Sequence, residues 1–260
     1  MNTQFALDKC APFISSQLSP VIPPLSAAKS APPKLAVTIS RQSGCGAHDI
    51  AELLANYLQR RGLDKTRPWN VLDRNLPEKV LEDHHLPIRF ARFMPEDRFS
   101  EFGDVMEELL GAHPPFSTFV RQTAETIFQL AEDGNVILIG RGANLITENL
   151  GHVFHVRLVG SLEHRVKHFQ QSHGLTSQAA LRRIREEDRG RKRYIKKYFD
   201  RDLDDPLLYH LVVNTDLMPF DRAAQLIGET ALASLDAKGL NPLNRFARHP
   251  SNPDINSTGI

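Results

Sequence analysis

The sequence has few cysteines, no long hydrophobic run and no excess of charge of either sign. Among its 260 residues only Cys10 and Cys45 are cysteines, and the formal net charge is +1. Two such cysteines build neither a disulfide framework nor a metal site. No apolar run is long enough to cross a membrane, and no secretory signal is evident. These absences predict a cytoplasmic protein without a membrane partner, and the neutral balance does not favour nucleic acid.

The chain is predicted to contain one folded domain between two loose ends. Six prolines lie at positions 12, 20, 23, 24, 32 and 33. Because proline removes backbone donors and no apolar period recurs there, residues 1–33 are predicted to be a disordered arm. Residues 239–260 are predicted to be a second loose tail. The domain then spans residues 34–238, and a hydrophobic content of 41% is enough for its core.

Short apolar runs alternate with helical patterns along this domain. Strands are predicted at residues 34–40, 69–73, 135–140, 152–160 and 209–215. Helices are predicted at residues 50–58, 77–85, 116–131, 162–174, 177–198 and 221–235. Ser161 is predicted to cap the fourth of them, which Gly174 ends, and Thr176 or Ser177 is predicted to open the fifth. The first of them has an apolar face made by Ile50, Leu53, Leu54, Tyr57 and Leu58. The alternation predicts an α/β fold with a mainly parallel sheet, whose ligands bind beyond the carboxyl ends of the strands.

A glycine-bearing turn, SGCGAHDIA, joins the first predicted strand to the first helix. Backbone amides curled around Gly44 and Gly46, with a helix N-terminus behind them, favour an anion. The triphosphate-binding pattern G-x-x-x-x-G-K-[ST] nevertheless fails at Arg41, Ala47 and His48, and Ala47 stands in place of the lysine. Two interpretations stay open: a phosphate-binding loop without its lysine, or an ordinary glycine turn. A dinucleotide-binding turn is the weaker alternative, because Asp49 replaces its third glycine.

Basic residues concentrate in one predicted helix. Residues 182–201 contain ten Lys or Arg and four acids. This run has three interpretations: a solvated helix face, a nucleic-acid surface, or a lid that closes over phosphates. Another arginine, Arg141, ends the strongest apolar strand between two glycines, which favours a bound ligand. Arg41 follows the first predicted strand, and reaching a phosphate and being solvated are equal alternatives for it. Asp73 ends the second predicted strand, and a site residue and a cap of the next turn are equal alternatives there.

Six segments in order resemble the cytidylate kinase-like family, a branch of the P-loop nucleoside monophosphate kinases that lacks the loop lysine. They are TISRQSGCGAHDIAELLA (38–55), LDRNLPEKV (72–80), GNVILIGRGANLI (134–146), LEHRVKHF (162–169), IREEDRGRKRYIKKYF (184–199) and DPLLYHLVVNTDLMPFDRAAQLI (205–227). The resemblance implies a nucleotide kinase-like fold with a basic helical lid at about residues 161–204. It also implies ATP with Mg²⁺, and a pyrimidine monophosphate such as CMP or dCMP as the acceptor.

The resemblance assigns roles to individual residues as well. The expected catalytic residues are Arg41, Arg141, Arg185 and Arg191. The expected nucleotide-binding residues are Ser40, Gly44, Cys45, Gly46, Ala47, His48, Asp73, Arg74, Arg165 and Asp188. Metal ligands and oligomeric state are not predicted.

This chain departs from the family pattern at three places. Ala47 replaces a further glycine, His48 and Asp49 replace Arg-Glu, and Gly142 stands where the better-known cytidylate kinases have an acid. These departures motivate an alternative function, a nucleotide-binding sensor or scaffold that has kept the fold without catalysis.

Overall fold

Five parallel strands form the centre of the molecule, in a computed structural model that describes residues 35–61, 67–73 and 116–238. The strands are β1 (Ala36–Arg41), β2 (Asn70–Leu72), β3 (Val136–Ile139), β4 (Val153–Val159) and β5 (Leu211–Asn214). They lie in the order β2-β3-β1-β4-β5, and every neighbouring pair is parallel. The predicted α/β fold is confirmed. The predicted arm, tail and helix at 77–85 lie outside the described residues, as does Arg74.

The register places the ends of the strands together. β1 lies in the middle of the sheet, with Ile39 opposite Ile139 of β3 and Val156 of β4. Because all strands run in one direction, their carboxyl ends meet at one edge of the sheet. The loop after β1, the Gly140 turn after β3 and Gly160 after β4 therefore face the same space.

Helices cover both faces of the sheet. They are α1 (Ala47–Arg61), α2 (Phe116–Asp133), α3 (Ala143–Ile146), α4 (Leu162–His173), α5 (Ser177–Phe199) and α6 (Phe220–Ala237). Val37 and Ile39 pack in the core that α1 and α6 complete, whereas Ala36 packs in the core of α2, α3 and the end of α5. This split follows from the alternation of side chains along a strand. In the described part of the chain, no helix combines the length and the apolar character that a membrane span needs.

The boundaries of α4 and α5 follow the predicted caps. The Ser161 hydroxyl accepts a hydrogen bond from the His164 amide, and Gly174 ends α4 with a φ of 64°. Thr176 caps α5 in the same way through the Ala179 amide. These side chains satisfy backbone donors that the first turn of a helix leaves unpaired. The two helices follow β4 and lie above the carboxyl ends of the strands.

Two details of the prediction were wrong. On α1, Leu53 is 40% exposed, although Ile50, Leu54 and Leu58 are fully buried. The buried stripe instead includes Ala51 and Ala55, because small side chains let α6 approach α1 closely. The short helix α3 was not predicted, since four residues are too few to show a helical period.

A histidine pair lies beside the centre of the sheet. His155 on β4 is buried, and its Nδ1 atom is 2.9 Å from the Thr38 hydroxyl. Its backbone N–H donates to Nδ1 of His210 at 3.0 Å. Burial, together with the nearby His210 and Lys238, lowers the pKa of His155 from 6.5 to about 3. Burial and Lys238 also lower the pKa of His210. Both rings are therefore held neutral in the folded protein.

The stability of the fold is expected to fall in mild acid because of this pair. Unfolded His155 takes up a proton below pH 6.5, whereas folded His155 resists it until about pH 3. Stability from the neutral ring is therefore complete above pH 6.5 and decreases as the pH falls towards 3. Between pH 7 and pH 5 we expect a loss of about 2 kcal/mol in the free energy of unfolding. Urea denaturation of the wild type and of His155→Asn measures this, and the variant should lose much less.

A matched control separates titration from the loss of a hydrogen bond. Thr38→Val removes the partner of the ring but no titrating group. It should lower stability at both pH values and keep the full difference between them. Equal pH dependence in His155→Asn and the wild type would contradict the assignment to His155.

Candidate functional site

A cleft of about 850 Å³ opens at the carboxyl ends of the strands. The loop after β1 forms its floor, the Gly140 turn one side, and α4 and α5 the opposite wall. Nine of the residues singled out from the sequence line it: Arg41, Gly44, Cys45, Gly46, Ala47, His48, Asp73, Arg141 and Arg191. Residues that are far apart in the sequence are thus brought to one concave site.

The loop after β1 is tied to the sheet and closely packed. Gln42 donates its backbone N–H to the Leu158 carbonyl at 3.0 Å, and the Cys45 amide donates back to the Gln42 carbonyl at 3.3 Å. Gly44 has a φ of 87°, a conformation that favours glycine. Burial raises the pKa of the Cys45 thiol to about 11. Cys45 is therefore a buried thiol that packs in the loop.

The loop makes its strongest polar contacts with two acids of α5. The Ser43 amide donates to Asp188 Oδ1 at 2.8 Å, and the Ser43 hydroxyl donates to Glu187 Oε2 at 2.5 Å. We call Ser43, Arg165, Glu187, Asp188 and Arg191 the Ser43 cluster. In this cluster, the Asp188 carboxylate accepts a hydrogen bond from a loop amide that is suited to bind an anion.

Two buried arginines balance these acids. Arg165 Nη1 lies 2.7 Å from Asp188 Oδ2, and Arg191 Nη2 lies 3.0 Å from Asp188 Oδ1. Arg191 also donates to the Ser43 hydroxyl, and Arg165 to the Ser43 carbonyl at 3.1 Å. Both guanidinium groups are held within hydrogen-bonding distance of the loop. They form a positive site whose present counter-charge comes from the protein itself.

Glu187 of the cluster is held as a carboxylate. Burial alone would raise the pKa of Glu187, but the hydrogen bond from Ser43 and the charges of Arg191 and Arg183 outweigh it and lower that pKa. Arg183 Nε lies 2.9 Å from Glu187 Oε1. The cleft wall is therefore a network of fixed charges, with α5 contributing both signs.

Arg141 has an unusual backbone. It is buried at 6% exposure and has a φ of 57°, between Gly140 at 83° and Gly142 at 70°. A left-handed conformation costs a residue with a side chain roughly 1–2 kcal/mol. Such strain collects at functional sites, where the surrounding structure holds it. The arrangement sets this arginine at the strand end, beside the loop.

The other expected residues lie away from the cleft or outside the described residues. Ser40 is buried behind the loop, where its hydroxyl accepts from Arg157 Nη1 at 2.8 Å. Arg165 and Asp188 lie under the loop in the Ser43 cluster. Arg185 is exposed on α5 and does not line the cleft in this conformation. Arg41 does line it, 3.7 Å from Asp73.

Several residues at the site were not singled out from the sequence. Ser43, His168, Arg183 and Glu187 line the cleft. Arg157 is 3% exposed and links Ser40 to Asp204, at 2.8 Å from each. Two signals were present: a charged residue inside the apolar run of β4, and the four-residue spacing of Arg183, Glu187 and Arg191 along one helix face. Neither of these two signals indicates a role in the site until the residue that each side chain contacts is known.

A smaller cavity of about 500 Å³ adjoins the cleft. The residues after β5 and the outer side of α4 line it, including Lys167, Thr215, Met218 and Phe220. His168 lines both spaces. Among the residues that the structure describes, no three His, Cys, Asp or Glu side chains cluster as a preformed metal cage.

The chain is similar to one protein family and to solved structures. The model of the cytidylate kinase-like family matches residues 36–217. A solved structure of an uncharacterized protein from Eubacterium ventriosum is 18% identical, with a TM-score of 0.56, over 76% of this chain and 98% of that one. A shikimate kinase from Bacteroides thetaiotaomicron is 13% identical, with a TM-score of 0.41, over 78% and 98%. No curated protein matches the sequence.

Proposed function

The chain belongs to the cytidylate kinase-like family, and from this premise we propose that it moves the γ-phosphoryl group of ATP to a pyrimidine nucleoside monophosphate such as CMP or dCMP. The observation that carries the proposal is the meeting of the glycine loop, Arg141 and Arg191 in one cleft at the strand ends. Parallel α/β sheets bind ligands at this edge.

The proposed reaction needs positioning and positive charge more than covalent chemistry. The bond between the γ-phosphorus and its bridging oxygen breaks, and a bond to an oxygen of the acceptor phosphate forms. The products are ADP and a nucleoside diphosphate. Charge spreads over the three outer oxygens of the transferring group, and arginines bind such oxygens in pairs. The cleft supplies these arginines from β1, the β3 turn and α5.

The arginines have different places in the proposal. Arg141, fixed at the end of β3, is proposed to bind the acceptor phosphate. Arg41 at the end of β1 and Arg191 on α5 are proposed to face the donor phosphates, with Arg185 and Arg165 as further lid residues. Movement of α4 and α5 towards the cleft would exclude water and strengthen these contacts.

The cleft suits a magnesium ion that arrives with the phosphates. Mg²⁺ commonly takes one or two protein carboxylates and completes its shell with phosphate oxygens and water. Asp49, Asp73, Glu186 and Glu187 line the cleft and are the carboxylates that would hold it. When bound, the ion would neutralise charge on the phosphates. The missing cage among the described residues is consistent with this mode of binding.

The base of the donor nucleotide is proposed to bind in the smaller cavity. Its size and its mixture of apolar and polar side chains suit part of a small molecule. A base there would leave the phosphates directed at the loop.

A nucleotide-binding sensor without catalysis is the second candidate. Ala47 provides no cation, and the acids of the Ser43 cluster occupy the loop and neutralise Arg165 and Arg191. In that case ATP binds and no product forms.

One experiment separates these functions. The purified full chain is incubated with ATP, Mg²⁺ and a panel of nucleoside monophosphates, and diphosphate formation is measured. Formation of CDP or dCDP supports the kinase. Binding of ATP in calorimetry with no diphosphate from any acceptor supports the sensor, and no binding at all eliminates both.

In the same assay, Arg141→Ala is expected to lower kcat/KM for the acceptor. The decrease should correspond to a loss of more than about 1.5 kcal/mol of transition-state stabilisation. Alanine keeps the left-handed backbone penalty of residue 141 nearly unchanged, so the effect reports the guanidinium group. Arg189→Ala removes an exposed arginine of α5 that does not line the cleft, and it should keep full activity. Equal activity of Arg141→Ala and the wild type would remove Arg141 from the proposed site.

A further inference from the structure

A buried arginine lies inside the sheet and has no place in the proposed reaction. Arg157 on β4 is 3% exposed, and it does not line the cleft. Strands of a parallel sheet that is covered on both faces are normally apolar. Because removal of a charge from water is costly, a cation inside such a strand breaks the usual pattern, and such exceptions concentrate at functional sites. The contacts of the guanidinium group show what it connects.

The guanidinium group of Arg157 connects the end of β1 to the segment that follows α5. Nη1 donates to the Ser40 hydroxyl at 2.8 Å, and Ser40 is the residue directly opposite in the register of β1 and β4. Nη2 donates to Asp204 Oδ1, also at 2.8 Å. The other carboxylate oxygen of Asp204 lies 2.5 Å from Lys192 Nζ on α5. Polar contacts therefore run without a break from β1 through β4 to α5.

Further interactions hold this arrangement in place. The Tyr209 hydroxyl lies 3.3 Å from the Ser40 hydroxyl, and its ring lies 5.9 Å from the guanidinium carbon of Arg157. Burial alone would raise the pKa of Asp204, but the hydrogen bond from Lys192 and the charge of Arg157 outweigh it and lower that pKa. One carboxylate thus joins two cations. We call Ser40, Arg157, Lys192, Asp204 and Tyr209 the Arg157 network.

The two ends of the network adjoin two arginines of the proposed reaction. Ser40 immediately precedes Arg41, and Lys192 immediately follows Arg191. Both arginines line the cleft and are proposed to face the donor phosphates. Arg191 also donates to the Ser43 hydroxyl of the loop. A change in the distance between the end of β1 and α5 would therefore move these two guanidinium groups relative to each other.

We propose that Arg157 is a positioning residue, which joins β1 to α5 and so holds Arg41 and Arg191 at a fixed separation across the donor phosphates. This inference rests on the proposed kinase function and deepens it. Arg157 touches no substrate and acts through Ser40 and Asp204. Because misplacement of a group that binds the reactants by about 1 Å lowers a rate on the order of 100-fold, these contacts affect the reaction from outside the cleft.

An apolar side chain of similar length at residue 157 tests this role. Arg157→Met leaves Asp204, which is 40% exposed, paired with Lys192, so no buried charge loses its only partner. An apolar replacement of this kind is often neutral for stability, so the melting temperature should stay within about 4 °C of the wild type. With the best acceptor from the panel, kcat should nevertheless fall about 100-fold. In calorimetry, metal-free inorganic triphosphate should bind about 10-fold more weakly.

Two more variants distinguish positioning from charge and from stability. Arg157→Lys restores the cation but not the fork of two donors that bonds Ser40 and Asp204 together, so it should recover less than about 3-fold of the lost kcat. Thr38→Val changes the pair of Thr38 and His155, which lies on the same strands but farther from the cleft. This control should lose stability, as described above, and keep the kcat of the wild type.

A variant at the exposed end of the network tests the same role without a risk to folding. The Lys192 side chain is 57% exposed, and Lys192→Gln removes its ion pair with Asp204. Its kcat should fall about 5-fold, the size expected for one exposed ion pair. Arg189→Ala on the same helix is the control and should match the wild type.

The outcomes separate this role from the kinase function. Wild-type kcat in Arg157→Met or in Lys192→Gln would overturn the role of Arg157 and leave the kinase function intact. Full recovery in Arg157→Lys would also overturn it, because charge alone would then suffice. An equal loss of kcat in Thr38→Val would do the same, since lost stability would explain it. If the wild type binds triphosphate but forms no diphosphate, the kinase function fails, and the difference in triphosphate affinity still decides the role of Arg157.

Discussion

Replacing Gly44 by alanine is expected to destabilise the protein by about 3 kcal/mol or more and to abolish the proposed nucleotide binding. The φ of 87° at this residue costs roughly 1–2 kcal/mol for any side chain. A Cβ atom would also lie 2.5 Å from the Arg165 carbonyl oxygen. This neighbour is backbone at the start of α4, so it cannot turn aside as a side chain could. Overpacking of this kind adds about 1–3 kcal/mol.

Gly174 provides a matched control for this prediction. It also has a positive φ, of 64°, but a Cβ atom there would meet nothing within 4 Å. Gly174→Ala should therefore cost about 1 kcal/mol and leave nucleotide binding unchanged. Urea denaturation and calorimetry on both variants measure the two effects. If the two alanines prove equally costly, the contact between the loop and α4 is not what requires glycine at residue 44.

Asp188→Asn is expected to cost about 3–5 kcal/mol of stability, because it leaves a buried positive site without its shared counter-charge. The side chains of Arg165 and Arg191 are only 9% and 6% exposed, and each makes a short ion pair with Asp188. Glu187 remains 3.7 Å from Arg191, so Arg165 bears the larger part of the loss. Asparagine has nearly the same shape and can still accept from the Ser43 amide. The variant therefore tests charge more than packing.

An added anion should restore part of this loss. Inorganic phosphate at millimolar concentration can fill the positive site, and a ligand that binds the folded state alone stabilises it. We expect phosphate to raise the melting temperature of Asp188→Asn more than that of the wild type. Asp200→Asn is the control, since Asp200 pairs with Lys196 on the exposed end of α5 and asparagine tolerates its left-handed backbone. If Asp188→Asn has the same melting temperature as Asp200→Asn, and phosphate does not raise it, the charges of the Ser43 cluster are not coupled.

These two experiments also bear on the choice between kinase and sensor. Asp188 accepts a hydrogen bond from the Ser43 amide at 2.8 Å and pairs with both buried arginines. A donor phosphate has to displace this carboxylate or bind beside it. A kinase in which the phosphate displaces the carboxylate repeats that exchange in every cycle, whereas a sensor can use it once as a signal.

Local patterns predicted the strands, the caps and the loop because those features depend on neighbouring residues. The apolar run of β3 and the cap at Ser161 need only a few residues to be recognised, and both are confirmed. Arg141 was singled out from its two flanking glycines, and the structure explains them through three consecutive positive φ angles. Leu53 was misassigned, since the width of a buried face depends on the helix that packs against it.

The site itself required the tertiary structure. Ser43 and Asp188 are 145 residues apart, and Arg157 and Ser40 are 117 apart, so no local spacing connects them. Asp188 was expected among nucleotide-binding residues, and the fold places it on the loop amide as an internal anion. No local pattern singled out His168, because its position in the site depends on its contacts with Asp49 and Phe220.

Residue patterns alone predicted a parallel α/β fold, a glycine loop without lysine at the first strand end, and a basic helix near the carboxyl end of the domain. These follow from side-chain periodicity, backbone propensity and local charge, which act over a few residues. Which charges meet depends instead on long-range packing. Packing of α4 and α5 over the loop brings Arg165, Arg191 and His168 to it. Burial strengthens the contacts of the two arginines.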